Sequence, residues 1–356
     1  MASANLATDA STLMSARPTP RPGEESASSS MRLTELYVAL KSKPIAVLHG
    51  PAHAGKLAAA REVARRLAGP DSTCLQEMVG HPWWASGVEG AAVFTAAQER
   101  FNLEKIQAVM EEAARDHSAG RIYVAVLSRI SPAEWNDLAA LALQFHRGYV
   151  RSDLDDRPRR RRPVSPRMRI LATTEALPPA PWDLLVLRQT SLLPWAVEPG
   201  RRQTPHVPGL WPAAQEGSLL EGAIRTPRSA LRRLRRLTEW QDDWLKPLLS
   251  MARTMNLQGV PDTNRAANEA VVYLANAWTR GGDGLFAPSF SDNLRLAIRF
   301  AVKMALIPRL AGLPPGGASA STPPVPAPGD RSRLPDGRTR FDEGLRSTIS
   351  PQPDTR

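Results

Sequence analysis

Apolar and polar positions follow two different patterns along the chain. In the first two hundred residues, continuous apolar runs have the length and β-branched content of buried parallel strands. They are PIAVLHG (44–50), TCLQEMV (73–79), RIYVAVL (121–127), MRILATTEA (168–176) and TSLLPWAV (190–197). Helical spacing of apolar residues occurs before and between them, at 33–42, 57–68, 104–117 and 131–146. Strands that alternate with helices predict an α/β fold, with a parallel sheet covered by helices on both faces.

After about residue 200 the strand pattern stops. Residues 226–255, 262–280 and 290–310 all have apolar positions at helical spacing. Residues 1–30 and 314–356 are polar and rich in Ser, Pro or Gly, which predicts disordered termini. The predicted organisation is a leader (1–30), an α/β core (31–200), an all-α domain (201–313) and a Pro/Gly-rich tail (314–356).

Composition narrows the class of protein. With 356 residues and 42% hydrophobic residues, the chain is long enough for a substantial core. No apolar run reaches the roughly 18–20 residues that a membrane-spanning helix needs, so we expect no membrane partner. The single cysteine, Cys74, excludes a disulfide within the chain and fits a reducing, cytoplasmic location. A net charge of +11 permits attraction to nucleic acid, although arginine-rich codon usage explains it equally well.

The segment after the first predicted strand fits most of the phosphate-binding pattern G-x-x-x-x-G-K-[ST]. Such a loop surrounds phosphates with backbone N–H groups, and its lysine contacts the β- and γ-phosphates. Leu57 occupies the position of the Ser or Thr hydroxyl that would bind magnesium. The candidate nucleotide-binding residues here are Gly50, Pro51, Ala52, His53, Ala54, Gly55, Lys56 and Leu57. The alternative is a vestigial turn between a strand and a helix.

Five segments, in order, resemble the AAA+ ATPases of the McrB/MoxR-like group over residues 31–313. They are the loop region (36–56), QEMVGHPWWASGVEG (76–90), YVAVLSRISPAEWNDLAALA (123–142), the segment 169–195, and FAVKMALIPRLAG (300–312). The resemblance implies a three-layer P-loop core followed by a helical lid. It also implies an ATP or GTP ligand, assembly with other AAA+ subunits, and a role beside a catalytic ATPase or nuclease in bacterial defence or remodelling.

The chain departs from this family where hydrolysis is carried out. Val126 and Leu127 lie where the family's Walker B strand ends in Asp-Glu, and no acid occurs between Arg121 and Ala133. Without these acids, magnesium and the attacking water have no obvious ligand. The family's sensor 1 pattern Thr-x-Asn reads Thr173–Thr174–Glu175 here. Either threonine could still donate a hydrogen bond, whereas Glu175 would repel a γ-phosphate.

Several arginines are secondary candidates. By the resemblance, Arg188 matches the position of an arginine finger directed at a neighbouring subunit, and Arg228 that of a sensor 2 residue. An exposed surface arginine is the alternative for both. The run RPRRRRPVSPRMR (157–169) could contact nucleic-acid phosphates through Arg159, Arg160, Arg161 and Arg162. It has no interleaved aromatic residues, so a solvated loop is the competing interpretation.

The sequence therefore predicts an AAA+ protein with a degenerate active site that binds nucleotide without hydrolysing it. One alternative is a nucleic-acid-binding adaptor built on an AAA+ shell. Another is a divergent but active ATPase or GTPase. No catalytic residue is assigned beyond the possible arginine finger. We predict no metal site, because His49 and His53 have no partner ligands nearby in the sequence.

Overall fold

The computed structural model describes residues 22–69, 72–79, 91–116, 121–130, 132–150, 162–179, 182–196, 220, 222–239 and 245–310. Within these ranges, no helix is long and apolar enough to cross a lipid bilayer. The predicted tail (314–356), most of the predicted leader (1–30) and Arg159, Arg160 and Arg161 lie outside the described residues.

Helices and strands alternate through the first part of the chain. In order they are α1 (Pro22–Ser42), β1 (Ile45–His49), α2 (Lys56–Ala68), β2 (Leu75–Val79), α3 (Ala91–Arg115), β3 (Tyr123–Ser128), α4 (Pro132–Arg147), β4 (Tyr149–Val150), β5 (Arg162–Pro163), β6 (Met168–Thr174), α5 (Leu184–Gln189) and β7 (Thr190–Pro194). The second part consists of α6 (Pro227–Leu237), α7 (Leu245–Leu257), α8 (Thr263–Ala275), α9 (Phe290–Ala305) and α10 (Ile307–Leu310).

Five strands in the described residues form one parallel sheet, in the order β2-β3-β6-β1-β7. This confirms the predicted α/β class with a parallel sheet. After β1 the chain continues to β2, at one edge of the sheet. After β6 it continues to β7, at the opposite edge. The adjacent strands β1 and β6 therefore flank a topological switch point, and ligands of open α/β sheets bind outside the carboxyl ends of strands at such a point.

Alternating side chains of the strands enter two separate hydrophobic layers. In β1, Ala46 and Leu48 pack with α1 and α2, whereas Ile45 and Val47 pack with α3, α4 and α5 on the opposite face. Both layers are apolar because both faces of the sheet are covered, which is why the strands read as continuous apolar runs.

The helical part shares the core of the α/β part. Leu231 and Leu234 of α6, Tyr273 of α8 and Phe300 of α9 belong to the same buried cluster as α1, α2 and one face of the sheet. The Tyr273 hydroxyl donates to the backbone oxygen of Glu35, at 3.4 Å. The side of α6 that carries leucines is therefore a core face, as its spacing predicts, with arginines on its other side.

Two predicted boundaries differ from the structure. Helix α1 begins at Pro22, eight residues before the predicted end of the leader at residue 30. Pro at the first helical position and acids in the first turn both favour a helix start, which offsets the serine content of this stretch. The predicted helical segment 226–255 contains two helices, because α6 ends at Leu237 and α7 starts at Leu245.

Candidate functional site

The glycine-containing loop 50–55 lies at the carboxyl edge of the sheet, where β1 and β6 meet. It follows β1 directly and leads into α2. The Gly50 N–H donates to Thr174 O at 3.3 Å, and Trp195 N–H donates to His49 O at 2.6 Å. The loop therefore starts between the ends of β6 and β7, at the switch point of the sheet.

The backbone conformation of the loop explains why glycine occupies positions 50 and 55. Gly50 has φ 145°, and a Cβ there would lie 2.1 Å from the backbone oxygen of Trp195. Gly55 has φ 77° and ψ 12°, in the left-handed region. His53 also has positive φ, at 61°, although it carries a side chain. Three positive φ values within six residues fold the loop tightly over the start of α2.

Lys56 is the first residue of α2, and its ammonium group lies under this loop. Its Nζ donates to Gly50 O at 2.7 Å and to Pro51 O at 2.5 Å. The side chain is only 8% exposed. Burial lowers the pKa of Lys56, and the nearby positive charge of Arg129 adds to this, whereas the negative charge of Glu175 raises it. Its hydrogen-bond partners are the two neutral carbonyl groups, so an anion would compete favourably for the ammonium group.

The amino terminus of α2 has no side-chain cap. Gly55 is the N-cap residue, and the first helical hydrogen bond runs from Ala59 N–H to Gly55 O at 3.0 Å. The N–H groups of Lys56, Leu57 and Ala58 therefore have no acceptor within the helix. Together with the helix dipole, such N–H groups attract an anion. Leu57 packs against the hydrophobic core and offers no hydroxyl for magnesium.

The carboxyl end of β3 carries no acid. Val126 and Leu127 are buried on opposite faces of the sheet, 1% and 4% exposed. The Ser128 hydroxyl donates to Met78 O at 3.3 Å, which joins β3 to β2. The next residue, Arg129, has φ 58° and brings positive charge toward Lys56. A magnesium-binding pair of carboxylates is therefore missing from this strand.

The end of β6 holds the neighbouring loop in place. Thr173 is buried, and its Oγ1 accepts from the Arg129 N–H at 3.0 Å. Thr174 Oγ1 donates to Ala176 O at 2.8 Å. Both hydroxyls thus have partners within the protein, while Glu175 is exposed beside the loop. Thr173 lies beside the site through its contact with the Arg129 backbone, and a sensor 1 role for it stays a prediction.

Arg188 and Arg228 lie away from this loop. Arg188, on α5, pairs with Asp262 at the start of α8, with Nη2 and Oδ2 3.1 Å apart. It lines a pocket at the amino-terminal edge of the sheet. Arg228 is exposed on α6 and follows Pro227, which lines the same pocket. The structure therefore places both arginines at the end of the sheet opposite Lys56.

The basic run 157–169 starts outside the described residues and ends in the structure. Arg162 belongs to β5, which pairs with β4 in a two-stranded antiparallel ladder. Arg169 is fully buried, and its guanidinium donates to Leu40 O at 2.7 Å and to Pro166 O at 2.8 Å. One arginine of the run therefore has a structural role, and binding of nucleic acid by Arg159–Arg162 stays a prediction.

Among the described residues, no group of three or more His, Cys, Asp or Glu side chains could hold a metal ion. His49 ends β1, and burial, followed by the positive charges of Lys303 and Lys56, lowers its pKa. Cys74 is buried and takes part in no disulfide among the described residues. No protein-family model matches the sequence, and no curated protein sequence matches it either.

Sequence reasoning missed one charged residue of the site. Arg129 directly follows β3, the strand that lacks the expected Asp-Glu pair. Its left-handed backbone turns the chain back toward β6. Its position after an apolar strand gave no signal, because only the fold brings it near Lys56.

Proposed function

We propose that this chain is a degenerate AAA+ P-loop protein that binds ATP or GTP at the loop 50–55 without hydrolysing it. The observation that carries the proposal is Lys56, a buried ammonium group at the uncapped start of α2, held by two carbonyl oxygens at the switch point of the sheet. A phosphate group offers this lysine a stronger, charge-assisted hydrogen bond than a neutral carbonyl does.

In this proposal each part of the loop has one task. The N–H groups at the start of α2 hold phosphate oxygens, and the positive φ of Gly50 and Gly55 lets the backbone approach them. Lys56 exchanges its carbonyl partners for phosphate. Thr173 keeps the Arg129 loop in position at the side of the site.

The absence of hydrolysis follows from the surrounding side chains. Val126 and Leu127 cannot hold magnesium or orient water, and Leu57 supplies no hydroxyl. Glu175 is an acid whose negative charge acts on Lys56, and this charge would repel a γ-phosphate bound by that lysine. We propose that magnesium is not required for binding, and that nucleotide serves as a structural or regulatory ligand.

The resemblance to the McrB/MoxR-like group supports an oligomeric role. We propose that the chain assembles with AAA+ subunits, including a catalytically competent ATPase, in a bacterial defence or remodelling complex. Arg188 pairs with Asp262 within the chain. To act as an arginine finger on a neighbouring subunit, Arg188 would have to leave this ion pair.

Calorimetric titration with ATP and with GTP, each with and without magnesium, tests the binding part of the proposal. We expect binding by the native protein without magnesium and at least tenfold weaker binding by Lys56→Ala. Lys246→Ala, which removes an exposed lysine on α7, is the matched control and should bind like the native protein. Equal affinities of Lys56→Ala and native protein would contradict the proposal.

A further inference from the structure

A second pocket lies at the amino-terminal edge of the sheet, between the α/β part and the helical part. Its volume is about 520 Å³, within the usual range for small-molecule sites. Residues that precede β1, β6 and β7 form one side, and residues of the α6 and α8 regions form the other. We call it the basic pocket and define it by its charged lining residues Lys43, Arg188, Arg225, Arg265 and Glu269.

Positive charge exceeds negative charge in the basic pocket. Among its described lining residues, four cations face one carboxylate. That carboxylate, Glu269, is already shared: Lys43 Nζ lies 2.8 Å from it, Arg309 Nη2 lies 3.1 Å from it, and Arg265 Nε is 3.9 Å away. Glu269 therefore cannot neutralise the cations around it.

A second carboxylate, Asp262, offsets only part of this excess. Arg188 pairs with Asp262, which also lies 3.9 Å from Arg309. The guanidinium of Arg225 donates to the carbonyl oxygen of Pro166, which carries no charge. Burial lowers the pKa of Lys43, and the charges of Arg309 and Arg265 lower it further, against the opposing effect of Glu269. Even without the charge of Lys43, three arginines line the pocket against one carboxylate, so it concentrates positive potential in a partly enclosed space.

We propose that the basic pocket binds a small phosphorylated molecule of nucleotide size. Guanidinium groups match phosphate oxygens in geometry, and a di- or triphosphate carries enough negative charge to neutralise the excess. The part of the ligand that carries no phosphate would contact an apolar wall formed by Phe145, Val164 and Val272. Because lining residues come from both parts of the protein, a bound ligand would join them more firmly.

The basic pocket is separate from the loop 50–55. Lys43 and Pro44 precede β1, and Gly50 follows it, so the strand separates the two sites by roughly 15–20 Å at about 3.3 Å per residue. This inference does not rest on the proposed function, because none of the lining residues belongs to the loop.

Calorimetric titration with inorganic pyrophosphate, in low salt and without magnesium, tests the inference. The titrated protein is Lys56→Ala, in which the loop site is weakened in every copy. We expect pyrophosphate to bind it, at least tenfold weaker binding after the additional change Arg265→Ala, and no detectable binding after Arg265→Glu. Arg265 is suited to this test because its side chain is 47% exposed and its ion pair with Glu269 is long.

Lys56→Ala with Arg295→Ala is the matched control. Arg295 is 79% exposed on α9, so its loss changes the net charge by the same amount as Arg265→Ala without touching the pocket. Unfolding midpoints confirm that all variants are folded. Residual binding of pyrophosphate at the loop 50–55 would not depend on Arg265, so comparing the Arg265 and Arg295 variants distinguishes it from binding in the basic pocket. The inference is overturned if pyrophosphate does not bind Lys56→Ala, or if the Arg265 and Arg295 variants bind equally well.

Discussion

Single residues fix the shape of the loop between β1 and α2. Gly50 is the tightest position, because its φ of 145° and the nearby Trp195 carbonyl leave no room for a side chain. Gly55 is also left-handed, but a Cβ there would meet nothing within 4 Å. The two glycines therefore serve different purposes: Gly50 permits close approach of two backbones, and Gly55 permits a turn.

This difference predicts unequal costs for two alanine substitutions. We expect Gly50→Ala to lower the free energy of unfolding by about 3 kcal/mol, because both the φ angle and the contact with Trp195 O must change. Gly55→Ala should cost about 1 kcal/mol, the ordinary penalty of a left-handed conformation. Urea denaturation of both variants measures this. Equal losses would mean that the approach of Gly50 to Trp195 is not tight.

At the level of elements, a buried lysine joins α1 to the region after α8. Lys41 Nζ donates to Asn276 O at 3.2 Å and to Trp278 O at 3.3 Å. Burial, followed by the positive charge of Arg233 on α6, lowers the pKa of Lys41 to about 7. The folded protein therefore holds this lysine uncharged above neutral pH, while the unfolded chain keeps it charged up to about 10.5.

The lowered pKa predicts a dependence of stability on pH. Between about pH 7 and 10.5 the unfolded state binds one more proton at Lys41 than the folded state, so its contribution to the free energy of unfolding rises with pH. The slope approaches about 1.4 kcal/mol per pH unit. Lys41→Met removes this contribution, so the native-minus-variant difference should change between pH 7.5 and 9. Parallel pH profiles of the two proteins would show that Lys41 titrates normally.

Helices and strands could be predicted where a pattern of neighbouring residues in the sequence determines them. Apolar runs located β1, β3, β6 and β7, because both faces of the sheet are buried. The two-residue strands β4 and β5 were not predicted, since their pairing depends on residues 12 positions or more apart. The cluster of Lys43, Glu269 and Arg309 escaped prediction for the same reason, because Lys43 is 226 positions and Arg309 is 40 positions from Glu269 in sequence.

At the scale of the whole molecule, the α/β part and the helical part depend on one core. Leu36 and Leu40 of α1 lie in the same buried cluster as Tyr273 and Phe300 of the helical part. The ion pair between Lys303 and Glu35, with Nζ and Oε1 2.9 Å apart, crosses the same junction. Removing the helical part would expose this apolar surface to water.

We therefore expect the fragment 22–196 not to unfold cooperatively. Full-length protein should show a single sigmoidal urea transition, whereas the fragment should show a broad transition and bind a hydrophobic dye. Circular dichroism and dye fluorescence on the two proteins measure this. A fragment with a sharp transition would show that the α/β part folds independently.

Nucleotide binding and phosphate release, measured on one purified sample of the full chain, test the central claim most directly. The loop around Lys56 predicts binding of ATP or GTP, and the apolar end of β3 predicts that no phosphate is released above the uncatalysed rate. Magnesium-dependent release that disappears in Lys56→Ala would contradict the account, because it would require an acid that β3 does not supply. Absence of binding would contradict it equally, since Lys56 would then only stabilise its own loop.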